Sequence, residues 1–181
     1  MLHATRSTAG FILFACLLAS GAALAQAPAL APQLEPLRPM LERTWQSTFK
    51  NSTPEKPVID VARWERALNG KAVRVLHSIN DGAYGGETLI FWDEKKQTVA
   101  YHYFTTAGFV TMGSMRFENG KILSHESVSG SAGGITEVRG SSEIGSDGKL
   151  SVKTEYLKDG QWQPGREATY QEAPNAKVLF K

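Results

Sequence analysis

Downstream of residue 25 the chain carries three histidines, His77, His102 and His125, and their surroundings limit the chemistry it can perform. None belongs to a His-x-x-x-His or Cys/His pattern, so no zinc site and no resident cofactor are expected. Asp60 and His77 lie in neighbouring alternating segments and have the types of a general base and its orienting carboxylate. The same pair also reads as a core histidine satisfied by a carboxylate, and an inward histidine is a possible ligand of haem iron. No motif positions a nucleophile beside them, so binding is expected ahead of catalysis. The Gly-rich Ser129 to Gly134 lacks the lysine of a phosphate loop and joins two alternating segments instead of opening a helix, which makes it a hairpin connection.

The elements that must position these groups are marked by turn signals. Gly70, Gly82, Gly108, Gly120, Gly133, Gly148 and Gly160 recur at regular intervals, and Asp93-Glu94-Lys95-Lys96 fills the one double gap. Between them lie alternating polar and apolar runs rich in Val, Ile, Thr and aromatic residues, the pattern of strands joined by hairpins. About ten strands in an antiparallel up-and-down meander are expected to close into an all-β barrel wide enough to leave a cavity.

Hairpin arithmetic assigns the faces. A turn at Asn69-Gly70 sets Glu65 opposite Arg74 as an outward ion pair and Trp64 opposite Val75, so Trp64, His77 and Asp60 share the inward face. Asn119-Gly120 pairs Met115 with Ser124 and Gly113 with Glu126, and a turn near Gly108 places Val99, Tyr101 and Tyr103 on the same side. His102 and His125 fall outside. Three-residue loops at Ser146-Asp147-Gly148 and Lys158-Asp159-Gly160 bring Arg166, Ala168 and Tyr170 inward and leave Lys153 beside Glu167 outside. Trp64, His77, Trp92, Tyr101, Tyr103, Met115, Glu126 and Arg166 are the expected ligand-binding lining: apolar and aromatic walls with a few polar anchors.

The N-terminal part reads differently. Residues 1–25 combine Arg6, an apolar run and Ala23-Leu24-Ala25, the form of a secretory signal peptide cleaved after Ala25. Its loss would remove Cys16, the only cysteine, so no disulfide is expected, and would leave acidic and basic side chains nearly balanced. That balance gives no electrostatic footprint for nucleic acid or for an anionic membrane surface. Residues 26–39, with Pro28, Pro32, Pro36 and Pro39, read as an extended linker. Pro39 is expected to open a short helical turn at the start of the barrel domain, residues 40–181, with Leu37, Met40 and Leu41 capping one barrel end.

Trp45, Trp64-Glu-Arg-Ala-Leu-Asn-Gly70-Lys71, Glu87-Thr-Leu-Ile-Phe-Trp-Asp93, Tyr103-Phe104-Thr-Thr-Ala-Gly108 and Thr169-Tyr170 occur in an order that resembles a lipocalin-like domain of unknown function found in small bacterial secreted proteins of the calycin superfamily. The resemblance spans nearly the whole chain after the leader and implies an up-and-down barrel, with no activity defined. Lipocalins proper carry Gly-x-Trp on the first strand with an Arg packed on the Trp. Here Arg43-Thr44-Trp45 lacks the Gly, and Arg166 is the candidate to stack on Trp45. The expectation is a periplasmic or secreted barrel that binds a small, partly apolar molecule. A calycin-type enzyme or haem barrel using His77, and an interaction module with a packed interior, are the alternatives.

Overall fold

Alternating runs of eight to twelve residues with one apolar side can bury that side only against another sheet or by curling round on themselves. The structure, a computed structural model, describes residues 29–130 and 133–181. The expected leader, its cleavage point and Cys16 lie outside the described residues. Ten strands form: β1 (Arg43–Thr48), β2 (Ile59–Ala67), β3 (Ala72–Ile79), β4 (Tyr84–Asp93), β5 (Thr98–Thr105), β6 (Val110–Glu118), β7 (Lys121–Ser129), β8 (Ile135–Ile144), β9 (Leu150–Lys158) and β10 (Gln161–Glu172). Each is antiparallel to its neighbours in sequence, and β10 returns to β1 through Trp45–Glu172 and Gln46–Gln171, closing the barrel.

Several registers follow from turn chemistry alone. Glu65 faces Arg74 and Trp64 faces Val75, Gly113 faces Glu126, and Tyr103 faces Thr111. The β9–β10 connection differs from the expected three-residue loop. Lys158 pairs with Gln161, leaving a two-residue Asp159-Gly160 turn with both φ angles positive, the hairpin geometry that such a pair favours. One residue fewer in the turn would reverse every later side chain. A bulge between Pro164 and Glu167 restores the phase: Pro164 has no N–H to offer the ladder, and a Cβ on Gly165 would lie 2.6 Å from the Thr154 hydroxyl. Arg166, Ala168 and Tyr170 therefore point inward as expected, while Trp162, before the bulge, lies on the outer surface under the Arg139 guanidinium, 4.4 Å from its ring centre.

The segment read as an extended linker is instead a 3-10 helix over Pro32–Met40. Its prolines at 32, 36 and 39 fix φ and remove donors that a longer helical ladder would require. With three residues per turn, Ala31, Leu34, Leu37 and Met40 fall on one line, and all four are buried in the barrel end. The plug is fastened by Ala31 N–H to the Gly70 carbonyl at 2.8 Å and by the Trp45 indole N–H to the Met40 carbonyl at 3.2 Å. Trp45, Val73, Ile90, Val99 and Leu150 pack beneath it. At the other terminus, residues 173–181 leave β10 with Ala173 N–H bonded to the Thr44 carbonyl and cross the outside of β1–β3. There the Leu179 N–H meets the Ser78 hydroxyl at 3.0 Å.

Leu37 is fully enclosed. Leu37→Ala is expected to lower unfolding free energy by about 2–5 kcal/mol, measured by urea denaturation, whereas exposed Leu68→Ala should change it by no more than about 0.5 kcal/mol.

Candidate functional site

Above the plug, the inward side chains of β2 to β10 leave a cavity of about 510 Å³. Trp64, Val75, Ile79, Met115, Val128 and Val152 supply apolar wall. Polar groups converge from five strands. Asp60 (β2) is almost completely enclosed, and its Oδ1 accepts from His77 Nδ1 (β3) at 3.0 Å. The His77 Nε2 lies 2.7 Å from the Tyr103 hydroxyl (β5), which lies 2.8 Å from the Tyr84 hydroxyl (β4). On the other carboxylate oxygen, Tyr170 donates at 2.6 Å and the Arg166 guanidinium at 3.3 Å, both from β10.

Burial works most strongly against charge on Asp60, but His77, Tyr170 and Arg166 together outweigh it and hold its carboxyl below the usual range. Burial likewise opposes the charge of Arg166, and the surrounding Tyr170, Asp60, Tyr156 and Tyr103 reverse this and raise its pKa. Burial raises the Tyr103 and Tyr170 phenols well above their ordinary value and keeps them neutral. An ionised carboxylate only accepts, so Nδ1 must carry a hydrogen.

A second polar group lies across the cavity. Thr111 donates to Glu126 Oε2 at 2.7 Å, and Tyr101 is hydrogen-bonded to the same carboxyl. Desolvation dominates here and raises the Glu126 pKa against the pull of Thr111, Tyr101 and Arg166. Two inward glycines make room for the rings: a Cβ on Gly86 would stand 2.2 Å from the Phe104 carbonyl oxygen and 2.5 Å from Tyr103 Cε2, and one on Gly113 2.7 Å from Tyr101 Cζ.

Of the expected lining, Trp64, His77, Tyr101, Tyr103, Met115, Glu126 and Arg166 all border the cavity. Trp92 points to the same side but sits lower, packed against the plugged core, with its indole N–H on Glu94 Oε2 at 2.7 Å. The expected Arg166–Trp45 stacking is replaced by two other contacts. Arg43, two residues away on the same strand, lies 6.0 Å from the Trp45 ring centre, and Arg166 lies 5.5 Å from that of Phe49 while bonding Asp60. Tyr84 was missed as a site residue although its signal is present: Asp81-Gly82 is a hairpin pair, and a two-residue turn there sets Ile79 opposite Tyr84. Once Ile79 is known to face Tyr84, its inward direction follows. His102 and His125 lie outside, His125 against Glu137 at 2.6 Å. Among the described residues no group of three His, Cys, Asp or Glu side chains could hold a metal ion. A larger concavity of about 820 Å³ on the outside of β6–β10 includes Arg139 and Lys153, but these already pair with Glu155 and Glu167.

The two buried carboxyls give opposite pH dependence. Asp60, depressed on folding, contributes stability that is complete above the unfolded value of about 4 and is lost as pH falls through the lower folded value. Glu126, raised on folding, is most favourable at low pH and loses stability as pH rises from about 4.3 toward its folded value. Urea denaturation between pH 3 and 8 should show Asp60→Asn losing about 3–5 kcal/mol at pH 7 with a flattened acid limb. Glu126→Gln should be neutral or stabilising at pH 7. Gly86→Ala should destabilise by about 1–3 kcal/mol or more through displacement of Tyr103, read in the same assay.

No protein-family model matches the sequence, and no curated protein matches it. Among solved structures the chain is similar to Rv2717c from M. tuberculosis, at 17% identity and a TM-score of 0.57, over 80% of this chain and 99% of that one. At that identity the likeness concerns the fold: a closed antiparallel β-barrel is the architecture in which this cavity is built.

Proposed function

We propose that this chain is an exported, lipocalin-like binding protein that holds a small, partly apolar molecule inside its barrel. The observation that carries the reading is the 510 Å³ cavity with apolar walls and a convergent Asp60–His77–Tyr103–Tyr84 chain beside Arg166. A structural module would fill such a space with side chains. Export and a periplasmic or secreted location are part of the proposal and rest on the form of residues 1–25.

The histidine does not favour the alternatives. Both His77 ring nitrogens are engaged, by Asp60 and by Tyr103, so ligation of haem iron or removal of a substrate proton would first require breaking the Tyr103 contact.

Trp64 borders the cavity, so an occupant should alter its emission. Titration of the purified protein with the neutral apolar dye Nile red is expected to be saturable, with one equivalent bound, and to change tryptophan fluorescence. Trp64→Phe should remove most of that change, and Tyr103→Ala should weaken binding about fivefold or more, the size of about 1 kcal/mol. Absence of saturable uptake by the folded protein would refute a ligand-holding interior.

A further inference from the structure

With an uncharged His77 ring the hydrogen-bond chain in the cavity runs one way, and that direction specifies what it can meet. The Asp60 carboxylate takes hydrogens from His77 Nδ1, Tyr170 and Arg166. With Nδ1 carrying its hydrogen, the Nε2 of a neutral ring is a lone pair, which accepts from the Tyr103 hydroxyl; the Tyr103 oxygen in turn accepts from the Tyr84 hydroxyl. In this arrangement every donor in the chain has an acceptor within it. The Tyr84 oxygen, which borders the cavity, is then left with lone pairs only.

Arg166 borders the same cavity. One of its terminal nitrogens bonds Asp60 and its plane lies near Phe49, and its other N–H groups have no hydrogen-bond acceptor among the described residues. The side chain is 33% exposed and lines the cavity. Arg166 is also close enough to Tyr84 to act on its hydroxyl electrostatically. The site therefore offers donors from a guanidinium and an acceptor from a phenol oxygen, next to an ion pair whose charges already cancel.

We propose that the cavity selects a neutral hydroxyl, the alcohol or phenol of an otherwise apolar molecule, whose hydrogen goes to the Tyr84 oxygen and whose oxygen accepts from Arg166. The inference deepens the ligand-binding reading and rests on it. A carboxylate would satisfy Arg166 but set lone pairs against the Tyr84 oxygen, and it would bring a second negative charge beside Asp60 with no cation left to match it. An ammonium would satisfy Tyr84 but could accept nothing from Arg166 and would be repelled by it. A ketone meets Arg166 and leaves Tyr84 unmatched. A hydroxyl carries both the donor that Tyr84 can take and the acceptor that Arg166 can use, and adds no charge.

The test compares 1-decanol, decanoate and Nile red at pH 7.5 in the wild-type protein and in Tyr84→Phe, which keeps the ring and removes the acceptor, with urea denaturation to verify that the variant is folded. Wild type should bind decanol at least about tenfold more tightly than decanoate. Tyr84→Phe should weaken decanol about tenfold, as expected for one buried hydrogen bond, and leave decanoate and Nile red within about twofold. Decanoate binding as tightly as decanol, or decanol binding unaffected by Tyr84→Phe, would overturn the hydroxyl assignment while saturable Nile red uptake kept the cavity reading intact. Failure of all three to bind would overturn both.

Discussion

A single buried negative charge organises the interior. Asp60 sits in the barrel wall with almost no access to water, and an uncompensated carboxylate in such a place costs several kcal/mol. Its oxygens are therefore answered from both sides: His77 on the adjacent β3, and Tyr170 with Arg166 on β10, which reaches it across the lumen side of β1. Those contacts tie three strands together and fix the imidazole orientation. The fixed imidazole orients Tyr103, and Tyr103 orients Tyr84. Polar features at the cavity surface thus derive from the need to satisfy one carboxylate.

The second carboxyl shows why neighbours matter more than residue type. Glu126 and Asp60 share one cavity, yet Asp60 is hydrogen-bonded by a cation and a histidine, whereas Glu126 is hydrogen-bonded by hydroxyls alone and feels Arg166 only electrostatically. Desolvation acts on both and is overcome only at Asp60. The barrel interior consequently has a charged, compensated pole and a pole that resists ionisation, with Trp64, Val75 and Met115 supplying apolar wall between β2 and β6. The inward glycines 86 and 113 belong to the same design: each yields its own volume so that a tyrosine from the neighbouring strand can lie flat against the wall.

Sequence periodicity carried the closed meander, because a strand's side chains alternate and Asn-Gly turns fix where the alternation begins. Asn69-Gly70 and Asn119-Gly120 sufficed to place Trp64, His77, Met115 and Glu126. Alternation gives a face and no height along the barrel axis, which is why Trp92 shares the face of Tyr101 but lies beneath the cavity, and why Arg166 meets Phe49 instead of Trp45. At β10 a shorter turn and a bulge offset each other, so the inward set was right while its register was not. The N-terminal plug was obscured by its prolines. They suggest an open chain, and only a period of three through Ala31, Leu34, Leu37 and Met40 reveals the buried line.

The seam between β1 and β10, where the two ends of the meander meet, is the shortest ladder in the barrel, with register contacts only at Trp45 and Gln46. A cylinder opens most easily along such a line. Here the chain is knotted off on either side of it in the manner of a laced cuff: the stretch ahead of β1 is wedged into one rim, and the stretch behind β10 is drawn over β1 and β2 and hitched to Ser78 on β3. Peeling the seam apart therefore means first lifting a strap or pulling a cork.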